Sequence, residues 1–457
     1  MKSSRMLICC VCLWLLSSTQ LFSQATITQI LSNGPPASCI NIVFLSEGYT
    51  ASQLGQFTND AKALLNYMQS GPPFDAYPNY FNGYAIAVAS AESGADHPLS
   101  GINRNTYFNS SFYSYDIERL LTIPPNNLDG NYADGAGKVY ALLQALMPEY
   151  DLVTVIVNDP EYGGSGGEIL ITSMNIDSPE IAAHELGHTF AALGDEYSDA
   201  YPGWVPSEMP NVTQQTNRAL IKWTSWILDS TPIPTPDTSP YASVVGLFEG
   251  AEYQTSGWYR PQHICEMRAL GYPYCKVCAE TLVKAIYTRI RPIKSNAPAT
   301  NAPVTLANSQ SVTLSVATLH PNTFNLNVLW FTNNVACGGA TNSSFTVDTT
   351  ALPFGSNQVK VEVTDPNPVV RTDPAQLLKD NRAWQVQILS PRLEYQRLQG
   401  AMLLSWTTNA QGFVLEYKTN LAPSVSWQPA GAPTIVSNRY TFTESIGRNA
   451  KFYRLHH

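Results

Sequence analysis

The chain has 457 residues, 44% hydrophobic and 13% charged, with a formal net charge of -9. That length exceeds one ordinary domain and suggests two to four, with ample apolar material for a large core. The acidic balance argues against nucleic acid or an anionic membrane as the natural partner.

Residues 1–25 read as a secretory signal. Lys2 and Arg5 give a basic start, residues 6–16 an apolar core, and Ser23-Gln24-Ala25 a small-residue cleavage site. The apolar run is short for a membrane span, and no later stretch is apolar enough to cross a bilayer. The expectation is an exported protein: secreted, periplasmic or at the cell surface. Cys9, Cys10 and Cys12 leave with the signal, while Cys39, Cys265, Cys275, Cys278 and Cys337 remain. An odd number implies a thiol outside any internal pairing.

Residues 39–46 (CINIVFLS) form a short apolar run that predicts a buried strand. Leu54, Phe57, Ala61, Leu64, Leu65 and Met68 recur at helical spacing and predict a helix over 51–68. A second strand follows over 84–90, a second helix over 133–147, and a third strand, rich in β-branched residues, over 151–158. Strands alternating with helices imply a layered sheet covered by helices. Asp129, Asn131 and Asp134 resemble part of a calcium loop without its full ligand spacing, so a solvated turn is the simpler reading. The glycine run at 162–167 lacks the Lys-Ser/Thr of a phosphate loop. It reads as a flexible loop before an exposed edge strand over 168–173, where a substrate peptide could add as one more strand.

The stretch 178–197 (SPEIAAHELGHTFAALGDEY) decides the chemistry. It opens as a helix, with Ser178 at the cap, Pro179 at the first position and Glu180 in the first turn. His184 and His188 stand four residues apart, so they share a face and can hold one metal ion. Glu185 lies beside them, placed to take a proton from a water there. A third ligand is needed. Asp195 is seven residues beyond His188, roughly 10 Å away along a straight helix, so the chain must turn back. Gly194 is the residue expected to permit that turn. Asp195 is the preferred third ligand and Glu196 its rival.

Residues 198–241 are irregular and Pro-rich, with Trp204, Trp223, Trp226 and later Trp258 as expected loop anchors. Met267 then sits in a cysteine-flanked turn, the place and chemistry of a thioether beneath a zinc site, although a lone methionine is more often core filler. His97 and His263 are more often ordinary hydrogen-bonding residues than ligands. Cys265, Cys275 and Cys278 precede a helix over 279–290. They are read either as a structural zinc site with a fourth ligand or, preferentially in an oxidising compartment, as a local disulfide.

The runs CINIVFLSEGY, ESGADHP and HELGHTFAALGDEY, together with the Cys-x-Met-Arg turn, resemble the IgA-peptidase family of secreted bacterial metallopeptidases over about residues 39–290. That family is metzincin-like. The resemblance implies zinc (Zn²⁺) as the cofactor, His184 and His188 as its ligands, Glu185 as general base and Met267 as the Met-turn. The standard metzincin pattern continues to a third histidine, whereas Asp195 lies one position further on here. Some members cleave immunoglobulin A, and the family name does not carry that substrate to this chain.

Residues 292–303 have linker composition. Short alternating runs over 304–391 predict an immunoglobulin-type β-sandwich, and 392–457 a small fibronectin-like β module. The expected organisation is a signal (1–25), an α+β metzincin-like zinc peptidase domain (26–291), a linker (292–303) and two all-β modules (304–391 and 392–457). The expected function is a secreted zinc metallopeptidase acting on a protein or peptide, a host glycoprotein among the candidates, with the β modules contacting a cell surface or matrix. Tyr272 or Tyr274 would add a hydrogen bond to the oxyanion. The competing class is a non-catalytic surface-binding protein with a structural zinc, and an intact Glu185 speaks against it.

Overall fold

The computed structural model describes residues 25–125, 134–201, 203–307, 310–408, 410 and 412–457. The signal segment, save Ala25, lies outside the described residues, as do Asp129 and Asn131. No helix among the described residues is long and apolar enough to cross a membrane. The chain divides into two units. One runs to Arg291 and also takes in Leu319–Leu326 and Asp365–Leu378; the other comprises Pro292–Thr318, Asn327–Thr364 and Lys379–His457.

The first unit is mixed α/β and is built on β1 (Thr26–Leu31), β2 (Ile40–Glu47), β3 (Phe81–Ala87), β4 (Leu152–Val157), β5 (Gly164–Ser165) and β6 (Leu170–Ser173). They form one sheet in the order β1-β3-β2-β4-β6-β5. The inner pairs β3-β2, β2-β4 and β4-β6 are parallel, and the outer pairs are antiparallel. Every residue of β2, β3 and β4 is buried, as continuous apolar runs in a sheet covered on both faces should be. Alternation along β2 splits its side chains between two cores. Ile42 and Phe44 join α1 (Leu54–Met68), α3 (Ser178–Ala191) and α4 (Lys276–Arg289) on one face; Val43 and Leu45 join α2 (Gly135–Leu146) on the other. Asp134 caps α2 by accepting from the Gly137 N–H at 2.7 Å.

The long connection after β3 is organised by a buried carboxylate. Glu47, at the end of β2, accepts from Thr106 Oγ1 (2.6 Å) and from the N–H groups of Phe108 and Ser110 (both 2.8 Å). Burial raises its pKa despite those donors. His97 is likewise structural: it stacks on Phe112 and bonds Asp159 at 2.9 Å. His263 pairs with Asp237.

The late segment Asp365–Leu378 is held by a buried carboxylate too. Tyr77 and Tyr287 donate to Asp365 Oδ2 at 2.7 and 2.6 Å. Composition places a boundary at 291, yet Leu319–Leu326 and Asp365–Leu378 fold with the earlier part of the chain.

One expectation fails in the sheet. The strand after the glycine run is not the exposed edge, because β6 is buried between β4 and β5. The terminal strand is β5, and its outer side is itself covered: Gly164 donates to the Arg119 carbonyl, and Ser165 Oγ donates to Leu121 O at 2.7 Å. An apolar run reports burial but not which neighbours supply it, so the strand-addition site expected over 168–173 is closed.

The second unit is all-β. Its first part pairs a five-stranded with a three-stranded sheet, and Trp330, Phe345 and Trp384 stack in the core between them. Ile293–Ala297, within the stretch of linker composition, is a strand of the three-stranded sheet. The last part has a four-stranded and a three-stranded sheet around Leu404, Trp406 and Leu415.

Candidate metal centre

α3 carries the two histidines on a rigid base. Ile181, Leu186 and Phe190, with Leu193 just beyond the helix, are all buried, which contributes about 1.5–3 kcal/mol for each large apolar side chain. Asp177, not Ser178, takes the cap position, and no side chain caps the helix. Glu180 in the first turn instead accepts from the Gly271 N–H at 2.9 Å and from Tyr67. Beneath the helix, a Cβ on Gly187 would lie 2.5 Å from Met267 Sδ, so only glycine leaves room for the fully buried methionine there.

The reversal that brings Asp195 back occurs at Ala192, not Gly194. Ala192 adopts a left-handed φ of 51°, with N–H bonds from Ala192 to His188 O (2.9 Å) and from Leu193 to Gly187 O (3.1 Å). This is a helix-ending turn that usually uses glycine. Gly194 answers a different need: a Cβ there would meet Glu252 Oε1 at 2.6 Å and Val212 Cγ2 at 2.8 Å. Asn211 holds the returning segment, accepting from Gly194 N at 2.6 Å and donating to Gly194 O and Glu196 Oε1, each at 2.9 Å.

The segment delivers Asp195 Oδ1 to 3.1 Å from His184 Nε2 and 3.4 Å from His188 Nε2, and the two Nε2 atoms are 3.2 Å apart. Each Nδ1 faces a backbone carbonyl, Glu266 O for His184 (3.0 Å) and Leu193 O for His188 (2.6 Å). Those carbonyls can only accept, so both rings spend their Nδ1 protons on them and turn Nε2 lone pairs toward Asp195. Two imidazole nitrogens and a carboxylate oxygen in mutual contact form a donor set suited to a cation. The chemistry of the residues fits a metal.

In the metal-free state a proton stands in for that cation. Burial alone would lower the His188 pKa and raise that of Asp195. Their mutual attraction outweighs burial, lifting His188 to about 9 and holding Asp195 well below the usual carboxylate range. A metal must therefore displace the His188 proton. Metal affinity is expected to climb as pH rises from the ordinary 6.5 toward about 9. Calorimetry in buffers of different ionisation enthalpy should register the released proton; an affinity flat across that range contradicts the assignment.

Glu185 is not among the grouped metal-ligating atoms but lines the same cleft, a cavity of about 400 Å³ bounded also by Arg119, Tyr162, Gly166, Tyr197 and Tyr253. Burial raises its carboxyl above the ordinary value, with both imidazoles pulling the other way. A Cβ on Gly166 would come within 2.6 Å of Glu185 Oε2, so the glycine run supplies the space this carboxylate occupies. The arrangement can hold a cation, a water and a mobile proton together at the end of an open cleft.

A sequence model of the IgA peptidase M64 family matches residues 28–239 and 237–286, more than half of the chain. The chain belongs to the IgA peptidase M64 family. A search of curated proteins finds no match. Solved structures similar to this M64 member include one titled "Cytokine receptor complex - Crystal form 2" (10% identity, TM-score 0.13, 33% of this chain and 86% of that one). Another is a marsupial T cell receptor (12% identity, TM-score 0.14, 37% and 98%). Such low TM-scores bear on neither fold nor function.

Membership makes this M64 chain a peptidase and directs attention to what lines the cleft. Neither expected tyrosine does. Tyr274 is partly buried and donates to the Ala183 carbonyl, and Tyr272 is half exposed; both lie outside the cleft lining. Besides Tyr162, the cleft tyrosines are Tyr197, whose ring lies 5.7 Å from that of His184, and Tyr253, whose hydroxyl donates to Asp195 Oδ2 at 3.0 Å. Tyr253 sits at the tip of a hairpin made by β7 (Phe248–Ala251) and β8 (Gln254–Arg260), where Glu252 and Tyr253 both have positive φ (52° and 57°). The tip is tied to the metal segment by Glu252 N to Asp195 O (2.9 Å) and Tyr253 N to Tyr197 O (3.0 Å). Positive φ at both central residues is the geometry a two-residue hairpin turn requires, and it aims the Tyr253 side chain at Asp195. Tyr253→Phe removes the outer partner of Asp195 and is expected to lower metal affinity by roughly 10–100-fold. Competition titration against a chromophoric chelator checks this; unchanged affinity means that the hydroxyl serves something else.

Proposed function

We propose that this M64 peptidase is a zinc-dependent endopeptidase that uses Glu185 as its general base. The observation that carries the reading is the convergence of His184 Nε2, His188 Nε2 and Asp195 Oδ1 with both Nδ1 protons already committed. Zinc bound by those three residues would supply an acidified water and polarise the scissile carbonyl. Glu185 takes the proton from the attacking water and passes it to the leaving amine nitrogen. Arg119, Tyr162 and Trp204 line the cleft and orient the peptide. In this reading Met267 is the Met-turn of a metzincin-like domain. Residues 1–25 export the chain, and the β-sandwiches of the second unit are immunoglobulin-like and fibronectin-like modules that hold it near its substrate.

Chelation tests the metal dependence. Incubation with 1,10-phenanthroline is expected to abolish hydrolysis of unfolded casein, and stoichiometric zinc to restore it. Hydrolysis that survives with no transition metal detectable by mass spectrometry sinks the zinc reading. Stable zinc with no cleavage of any unfolded protein favours a binding role instead.

A further inference from the structure

We infer that the chain holds a second, structural zinc ion, bound by Glu196, Cys265, Cys275 and Cys278. This site is separate from the histidine centre and stands whether or not that centre is catalytic. The four side chains are buried, and one ligand atom from each lies within 4.8 Å of all the others. The three cysteines by themselves leave open a structural zinc with an unnamed fourth ligand and favour a local disulfide. The structure offers the fourth ligand and shows no disulfide among the three cysteines.

The distances favour a metal over a covalent bridge. Cys265 Sγ and Cys278 Sγ are 3.7 Å apart, and Cys278 Sγ is 3.5 Å from Glu196 Oε1. A tetrahedral ion with bonds of about 2.3 Å to sulfur and 2.0 Å to oxygen spaces its ligands about 3.8 Å (S to S) and 3.5 Å (S to O) apart. A disulfide needs about 2.05 Å. Backbone N–H groups also point at sulfur: Cys275 N to Cys265 Sγ at 3.1 Å and Cys278 N to Cys275 Sγ at 3.5 Å, an arrangement that suits thiolates.

A second, independent observation comes from Glu196. Its side chain is fully buried, and Oε2 has no hydrogen-bond partner. An ionised carboxylate with a buried, unpartnered oxygen is costly unless it takes up a proton or a cation neutralises it, and three cysteine sulfurs beside it supply the rest of a cation's ligands. The same core cluster contains all three cysteines. With Cys275-Lys276-Val277-Cys278 at the spacing of a zinc knuckle and every ligand position filled by protein, the site has the closed character of a structural zinc.

Its position says what it would do. Glu196 follows Asp195, Cys265 precedes Met267 by two residues, and Cys275 caps α4. Glu196 N donates to Met267 O at 2.8 Å. One ion would thus pin the returning segment, the methionine turn and the start of α4 to one another.

The test uses the full chain with His184→Ala and His188→Ala combined, which empties the histidine centre. Wild type is expected to hold about two zinc ions per chain and the double variant about one. Cobalt exchanged into the double variant should show a thiolate-to-cobalt charge-transfer band in the near ultraviolet, and Cys275→Ser should lose it. Cys265, Cys275 and Cys278 should resist iodoacetamide until a chelator is added, a readout that survives should the serine variant fail to fold. About one zinc in both proteins supports this site and removes the histidine one. No zinc in the double variant, no charge-transfer band, or an intact mass showing a disulfide among the three cysteines overturns the proposal.

Discussion

Glu185→Gln is expected to cut peptide hydrolysis by roughly 10²–10⁴-fold while leaving the histidine-bound metal in place. The substitution keeps the shape of a side chain whose oxygen abuts Gly166, so the helix and cleft should not move. It removes only the ability to accept and return a proton. Glu185 stands outside the metal-ligating group, so zinc content should match wild type. The loss should fall on kcat and kcat/KM alike, because the proton moves only in the transition state. A fluorogenic peptide library, with metal analysis of the same samples, checks both halves. Activity retained within a few-fold removes Glu185 from the chemistry; activity lost together with the metal makes it a structural support.

The parts of the centre written within one helical turn were legible in the sequence. The four-residue spacing of His184 and His188, with Glu185 beside them, puts the three on one helix, and the need for a reversal before Asp195 follows from the rise of a helix. The residue that makes the reversal was not legible, because Ala192 in a left-handed conformation is a choice made by packing around Gly187 and Leu193. Tyr253 was hidden for another reason. It reaches Asp195 from a hairpin 58 residues away in sequence, and nothing local to either residue announces the pairing. The apolar runs located the buried strands, the second shifted by three residues, yet they misplaced 168–173 at the sheet edge, since burial is a property of a strand and adjacency is a property of the fold. Ile293–Ala297 shows the converse error: Asn, Ser and Ala beside Pro298 look like a linker, while their backbone pairs with Ala317 and its neighbours as sheet.

Two adjacent acids, Asp195 and Glu196, are expected to give opposite results when removed. Asp195 Oδ1 faces both histidine Nε2 atoms, whereas Glu196 turns to Asn211 and Cys278. Asp195→Ala should weaken zinc at the histidine centre by more than the roughly 10–100-fold that loss of an outer partner costs, and activity at limiting zinc should vanish with it. In the metal-free variant the imidazoles also lose the carboxylate that offsets their burial, so the His188 pKa should drop below its value of about 9. Protonation of the ring then no longer competes with metal near neutrality, and the affinity that remains should depend less on pH than in wild type. Glu196→Ala should leave the histidine-bound ion and the His188 titration near wild type, its effect falling on the cysteine cluster and on the firmness of the segment. Histidine NMR titration and zinc titration of both variants separate the two cases. If Glu196→Ala empties the histidine centre while Asp195→Ala leaves it loaded, the coordination argued from the Asp195 geometry is wrong.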